Sequence, residues 1–361
     1  LDYTPPRHGF TSQSVGVAPE AVDLTDKLLS LAGPIYTAVH FSVSGALGLE
    51  AALLAATIAT ERQKFISLRH AYHGCTLGTQ ALAGRDFLRD PTVERAALSH
   101  LAEPAYCHRC AWQLKPETCQ RECALALAKQ IETGDFAAVV AEPMMTSTVI
   151  IPPRDFWQPI AKACRNSGTL LIFDEVVSGL GRTGRWWAQD HFGVQADILV
   201  TSKGLNAGAV PLSATLFQQH VREAVKQAGP FPFGQTDEAH PFACQMALQV
   251  IATLEERSIP GHVTAVGTLI EQHLQRIAER FEFITDVRGV GLLWGLELCD
   301  QQVPDSALTL IRTWAIDEGL LLPPGGRVLL LTPPLVITPD DLQEGVQRLE
   351  CVLQKLATHV S

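Results

Sequence analysis

No apolar run in the sequence approaches the roughly eighteen residues that a spanning helix needs. Positive charge is in deficit: 28 Lys and Arg stand against 38 Asp and Glu, a formal net charge of −10. A chain so acidic has no global electrostatic reason to bind nucleic acid or an anionic lipid surface. Cysteine is too sparse for a disulfide scaffold, with nine residues and an odd count. The sequence opens at Leu1 without a basic-then-apolar leader, so nothing in it reads as a signal peptide. Internal repeats and low-complexity tracts do not stand out. What is present is apolar: 47% of 361 residues, against 18% charged. That composition fills one or two sizeable cores and excludes disorder. At roughly 150 residues each, the length suits about two domains. The expectation is a soluble cytoplasmic enzyme, with no nucleic acid or membrane as partner.

Helical spacing of Ala21, Val22, Leu24, Leu28 and Leu31 predicts a helix from Pro19 that stops at Gly33-Pro34. A second helical pattern runs from about Gly48 to Arg62. Short apolar runs bounded by polar or Gly/Pro punctuation follow: Lys64–Leu68, Ala137–Ala141, Thr169–Val176, Asp197–Thr201 and Ser213–Phe217. Stretches long enough for helices, such as Cys123–Thr133 and Arg154–Ser167, separate several of them. Strands alternating with helices, and apolar on both faces, predict a largely parallel sheet. The last third changes character. A long helix over Phe242–Glu256 leads into helix, strand and helix segments. The final helix takes Thr338 as N-cap, Pro339 at its first position and Asp341 to close a capping box. The domains read as an N-terminal segment (1–35), a large α/β domain (36–245) and a smaller α+β domain (246–361).

Two strand ends carry the chemistry. Leu171-Ile172-Phe173-Asp174-Glu175-Val176 is an apolar strand ending in a carboxylate pair. Twenty-nine residues after Asp174, the strand Ile198-Leu199-Val200-Thr201 is followed by Ser202, Lys203 and Gly204. Ligand crevices of open parallel sheets lie outside the carboxyl ends of the strands, so Asp174 and Lys203 are expected to face one. A lysine among apolar strands is expected to be desolvated with a lowered pKa, which favours Schiff-base chemistry. A nearby carboxylate keeps a pyridine nitrogen protonated and makes that ring an electron sink. Each residue alone also fits a solvated strand-end charge; the pair argues for chemistry.

Asp174-Glu175-Val176-Val177-Ser178-Gly179-Leu180-Gly181-Arg182-Thr183-Gly184, followed by Ser202-Lys203-Gly204, resembles the class III (ω-type) aminotransferases. These are fold-type-I pyridoxal-phosphate enzymes. Further motifs agree in order: Ala71-Tyr72-His73-Gly74, Ala141-Glu142-Pro143, Phe233-Gly234-Gln235-Thr236 with His240-Pro241, Arg288-Gly289-Val290-Gly291-Leu292, and Pro333-Pro334-Leu335. The resemblance spans about residues 18 to 356. It implies a seven-stranded, mostly parallel sheet sandwiched by helices, with a smaller C-terminal α+β domain. The implied function is transfer of an amino group between an amine or amino acid and a keto acid, with pyridoxal 5'-phosphate as cofactor. Lys203 is the implied Schiff-base (aldimine) lysine and proton carrier, Asp174 the partner of the pyridine nitrogen, and Tyr72 the stacking ring. Ser44, Gly45 and Ala46 would receive the phosphate at a helix N-terminus. Val176 lies against the cofactor, and Glu142 and His73 stand behind these residues. Thr236 would reach the phosphate of a neighbouring subunit, so the resemblance implies a homodimer with shared active sites.

The sequence departs from the family in three places. Its phosphate turn, Ser44-Gly45-Ala46-Leu47-Gly48, lacks the hydroxyl usual at position 46. Glutamate-using members carry a Glu and an Arg where this chain has Ser147 and Leu330; Arg327 is the nearest cation to the latter. Only eighteen residues precede the helix at Pro19, where the family has more, including a substrate-channel segment. The same cofactor scaffold also serves racemases, epimerases and decarboxylases, and the losses at 147 and 330 keep such a variant open. A non-catalytic scaffold and a nicotinamide dehydrogenase are the alternatives from other classes. The latter rests on Gly179-x-Gly181-x-x-Gly184, which matches the dinucleotide fingerprint but lacks the ribose-binding acid about twenty residues on. Cys107, Cys110, Cys119 and Cys123 fall within seventeen residues. Four thiolates can close a tetrahedral zinc site, but the spacing is imperfect. No metal is expected, with zinc and a disulfide pair as alternatives. Trp186 and Trp187 suit either a substrate entrance or core packing, and Arg182 suits either a carboxylate contact or an ion pair.

Overall fold

A computed structural model describes residues 17–85, 99–323 and 326–360. By internal contact the chain divides into two compact units. Among the described residues, the first holds 17–85, 99–143, 152–180 and 186–257, and the second holds 144–151, 181–185, 258–323 and 326–360.

The first unit is built on a seven-stranded sheet. Its strands, in chain order, are β1 (Tyr36–Ser42), β2 (Lys64–Leu68), β3 (Ser99–Ala102), β4 (Phe136–Ala141), β5 (Leu170–Asp174), β6 (Ile198–Thr201) and β7 (Ser213–Gln218). They lie in the order β1-β7-β6-β5-β4-β2-β3. β7 runs against both its neighbours, while β6, β5, β4, β2 and β3 are mutually parallel. Every residue of β5 and β6 is buried, which explains their unbroken apolar spelling.

Helices α1 (Pro19–Ala32), α2 (Gly45–Thr60), α3 (Leu77–Ala81), α4 (Glu122–Ile131), α5 (Trp157–Ser167), α6 (Gln219–Ala228) and α7 (Pro241–Glu256) surround the sheet. α2 is spelled almost wholly in Ala, Leu and Gly because one face lies flat on the strands. A Cβ on Gly48 would stand 3.0 Å from Ser213 Oγ and 3.1 Å from Val200 Cγ1. Leu49, Ala52, Leu53 and Ala56 join Ala138, Val140, Ile172, Ile198 and Val200 in one continuous core. α1 packs on α7, and so belongs with this unit despite the sequence distance.

The second unit has a three-stranded antiparallel sheet of β8 (Ile284–Val290), β9 (Leu293–Leu298) and β10 (Val328–Leu331), with β9 central. Helices α8 (Ile259–Arg280), α9 (Asp305–Asp317) and α10 (Pro339–Val360) accompany it. At the start of α10, the Asp341 amide donates to Thr338 Oγ1 at 3.1 Å, and that hydroxyl donates to the Asp341 carboxylate at 2.7 Å. Two short insertions from the first unit's sequence are clamped here by arginines. Arg288 donates to the carbonyls of Val149 (2.5 Å) and Thr148 (2.7 Å), and Arg182 to those of Leu292 (3.0 Å) and Pro333 (2.6 Å). Among the described residues, no helix is long and apolar enough to cross a membrane.

Candidate active site

Strands β4, β5 and β6 are parallel neighbours, so their carboxyl ends open on one edge of the sheet. β4 is followed by Glu142, β5 ends on Asp174, and β6 stops two residues short of Lys203. β2, on the far side of β4, leads into the turn that carries Tyr72 and His73. His73 Nδ1 lies 2.8 Å from Asp174 Oδ2, with both side chains buried. Asp174 Oδ1 accepts from the Val176 amide at 3.1 Å. An ionised carboxylate has about four acceptor directions, so these two bonds orient Asp174 and leave capacity for a ring N–H. His73 Nε2 is buried without a protein partner.

The next residue points elsewhere. Side chains alternate along a strand end, and Glu175 turns into the protein, where it accepts from the amides of Ala188 (2.6 Å) and Gln189 (2.8 Å). Burial pushes its carboxyl up to about 8, with Asp190 and Asp174 adding to the rise and the two amide bonds opposing it. Of the carboxylate pair read from the sequence, Asp174 is the one available to a ligand, and Glu175 is structural.

Ser44 caps α2: its Oγ accepts from the Leu47 amide at 3.3 Å, and its carbonyl accepts from Ser213 Oγ at 2.8 Å. Gly45 follows because a Cβ there would come within 2.8 Å of Val176 Cγ2. Gly74, at φ +127°, would place a Cβ 2.6 Å from that of Ala46. The three motifs 44–46, 72–74 and 174–176 therefore meet, with no side chain between them. The N-terminus of a sixteen-residue helix offers unsatisfied amides and the positive end of its dipole to a phosphate dianion. Together with an oriented buried carboxylate and a nearby lysine, this donor set fits pyridoxal phosphate. Glu50, one turn further along α2, was not picked out from the sequence. Its Oε1 accepts from the Thr76 hydroxyl at 2.5 Å and the Gly78 amide at 2.8 Å, tying the 73–76 turn to the helix.

Lys203 corrects one expectation. It lies beyond the buried strand, opens a short 3-10 turn, and is exposed rather than desolvated among apolar strands. Its backbone sits in the left-handed region, at φ 41°, which is uncommon for a non-glycine residue. Tyr72 is 39% exposed, with its hydroxyl 3.5 Å from Cys75 Sγ; that contact, then burial, raises the phenol's pKa. Glu142 is buried at the end of β4, and Thr236 is exposed. Thr236 rides a turn closed by the Gln235 amide donating to Glu238 Oε2 at 3.1 Å.

The remaining sequence candidates settle as follows. Ser147 and Leu330 belong to the second unit. Arg327 is committed there to Asp300 (2.8 Å), Asp305 (2.5 Å) and the Val303 carbonyl (2.7 Å). Arg182 donates to two carbonyls, and burial lowers its pKa to about 10. Trp187 is core, with its indole N–H on the Leu31 carbonyl at 3.1 Å. No α-helix follows Gly179-x-Gly181-x-x-Gly184, so the dinucleotide reading lacks the helix end it needs. The four clustered cysteines line one small cavity, and burial pushes the Cys123 thiol up to about 11. Among the described residues, no group of three or more His, Cys, Asp or Glu is arranged to hold a metal ion.

Comparison with known proteins agrees with this geometry. Residues 8–353 match the family model for class III aminotransferases. The leucine/methionine racemase of Thermococcus litoralis is 30% identical over 345 residues, covering 93% of this chain and 77% of that protein. The adenosylmethionine-8-amino-7-oxononanoate aminotransferase of Geobacter sulfurreducens is also 30% identical, over 91% of this chain and 78% of its own length. A PLP-bound amine transaminase from an uncultivated Pseudomonas species superposes with a TM-score of 0.89 at 32% identity, over 99% of this chain and 84% of that one. The chain belongs to the class III aminotransferases, pyridoxal-phosphate-dependent enzymes that move an amino group between an amine or amino acid and a keto acid.

Proposed function

We propose that the transfer runs at the edge where β4, β5 and β6 end, with Lys203 as covalent anchor and proton carrier. The observation that carries this reading is the buried His73–Asp174 bond of 2.8 Å. Pyridoxal phosphate, when bound, supplies an electron sink for charge developing on the substrate's α-carbon. The protein's part is positional and protonic. Ser44, Gly45 and Ala46 receive the phosphate with the α2 amides. Asp174 holds a proton at the ring nitrogen, and His73 fixes the carboxylate's direction from behind. Tyr72 and Val176 would pack against the cofactor ring when it is bound. Lys203 Nζ takes the proton from the substrate's α-carbon and returns it elsewhere. Thr236 serves the phosphate of a second copy, so the active unit is a homodimer, and we place it in the cytoplasm.

A second reading is racemisation, favoured by the Thermococcus relative's named activity together with Ser147 and Leu330. Both readings need the same residues and differ in where the proton is returned. The test is the visible spectrum of the purified protein and of Lys203→Ala, before and after adding a panel of amines and amino acids. Transfer predicts a band that depends on Lys203 and bleaches with a donor. A band that persists while the donor's α-proton exchanges with solvent deuterium would replace transfer with racemisation. No band after reconstitution with pyridoxal phosphate would overturn both.

A further inference from the structure

We propose that Cys107 and Cys110 form a redox-active dithiol, a site of thiol–disulfide exchange with low-molecular-weight disulfides such as glutathione disulfide. The pair is separate from the residues assigned to amino-group transfer, and the proposal does not depend on them. It lies in the long connection from β3 to α4, whose one element is a 3-10 turn over Cys107–Arg109. A connection of that length is uncommon in a compact domain unless it has a function. Its backbone is held at both ends of the pair. The Arg109 amide donates to the Tyr106 carbonyl at 3.0 Å, and the Gln113 amide to the Cys110 carbonyl at 2.9 Å. Tyr106 is buried, and its ring meets that of His70 edge-on with centroids 5.7 Å apart. A 3-10 turn takes three residues with about 2 Å of rise each, so side chains three apart lie in line with Cα atoms about 6 Å apart. Cys110 ends the turn three residues after Cys107, at the span that a disulfide bridges. Together with Cys119 and Cys123 the pair lines one cavity of about 20 Å³, room for roughly one water molecule. All four are thiols and all four are partly exposed, so a small reagent can reach them.

The other two sulfurs are placed differently. Cys119 Sγ accepts from the Arg121 guanidinium at 3.1 Å, and that guanidinium is anchored to Asp155 at 2.6 Å. Arg121 sits in the left-handed region at φ 66°, so no continuous turn carries Cys119 into α4 beside Cys123. Burial, with the neighbouring sulfurs adding to it, pushes the Cys123 thiol up to about 11. A thiol must ionise either to attack a disulfide or to ligate a metal. Cys123 therefore suits neither exchange nor a four-thiolate zinc centre, and the described residues show no group arranged for a metal. In the exchange, one thiolate of the pair attacks a sulfur of the small disulfide, whose S–S bond breaks. A mixed disulfide forms and a small thiolate leaves. The second cysteine attacks the mixed disulfide, which forms the Cys107–Cys110 bond and releases the other small thiolate. The two protons given up by the cysteines end on two small thiols. The protein is oxidised by two electrons and the reagent is reduced by two. Transient, redox-responsive couples of this kind are the usual form of disulfide in a reducing compartment.

The test uses the full-length protein, reduced with dithiothreitol, desalted, incubated with glutathione disulfide, then alkylated and mapped by tandem mass spectrometry. The expected product is a Cys107–Cys110 bond in most chains, with Cys119 and Cys123 recovered as alkylated thiols. Dithiothreitol should restore the pair. Cys110→Ser should form no intramolecular disulfide, while Cys119→Ser and Cys123→Ser close the 107–110 bond within twofold of the wild-type rate. Exposed Cys75 and Cys351 report the reactivity of surface thiols in the same sample. A bond that joins either member of the pair to Cys119 or Cys123 overturns the assignment. So does recovery of Cys107 and Cys110 as alkylated thiols once Cys75 and Cys351 carry glutathione. One equivalent of zinc in the purified protein, with the four thiols protected until a chelator is added, overturns it in favour of a metal centre.

Discussion

Glu175 gives the sharpest physical test of the site's foundations. Its carboxyl is fully buried, is held by two backbone amides, and ionises near 8 in the folded protein rather than at its ordinary 4.5. Because the folded pKa is raised, the folded state keeps a proton that the unfolded chain gives up, throughout the interval between those values. Stability from this group is complete below about 4.5 and is lost as pH climbs towards 8. One pH unit within the window corresponds to about 1.4 kcal/mol, so the accumulated loss is a few kcal/mol. Glu175→Gln has no proton to lose, although its single carbonyl oxygen replaces two acceptor oxygens and its NH2 faces the second N–H group, so it is less stable overall at low pH. The measurement is urea unfolding of both proteins at pH 5, 6, 7 and 8. Subtraction cancels other titrating groups, including His40, whose pKa burial pushes down. The wild-type advantage should shrink by about 1.4 kcal/mol per unit across the middle of that range. An advantage that stays flat or grows with pH would refute the buried, protonated carboxyl.

Three further outcomes follow from the same geometry. Ala46→Ser restores a hydroxyl at the phosphate turn and should tighten pyridoxal-phosphate binding by about 1 kcal/mol, roughly fivefold, measured by equilibrium dialysis of the apoprotein. His73→Ala removes a buried partner of Asp174 and leaves a void, so apoprotein stability should fall by about 2–3 kcal/mol in urea; a loss under 1 kcal/mol would mean the 2.8 Å contact contributes little. Arg327→Gln dissolves a partly exposed ion cluster in the second unit and should cost about 1 kcal/mol of stability in urea; an unchanged stability would mean that the cluster contributes nothing.

How much of this was legible in the sequence depended on whether the signal was local. The buried strands β2, β4, β5, β6 and β7 announce themselves as short, mostly apolar runs between polar punctuation, and their bounds agree with the structure to within a residue or two. β1 and β3 did not. Tyr36-Thr37-Ala38-Val39-His40-Phe41-Ser42 mixes polar residues into a strand only partly buried, and β3 has just four residues, with His100 exposed. The lysine and aspartate were legible because strand-end position is a local property, and β5 and β6 are parallel neighbours whose carboxyl ends share one edge of the sheet. Lys203's exposure was not, since it turns on where the strand stops rather than on what surrounds it in sequence. Glu175's inward turn follows from alternation at a strand end, so the sequence held that information in the spacing alone. The contribution of Glu50 and the close crossing at Gly84 were invisible for a different reason. Each depends on a crossing of distant segments, Glu50 on Thr76 and Gly84 on Ala71, and no pattern in either segment reports the other. Gly84 is the residue at which such a crossing leaves a trace. A glycine between a short helix and a charged residue reads as an ordinary turn until the structure shows a carbonyl 2.2 Å from where its side chain would begin.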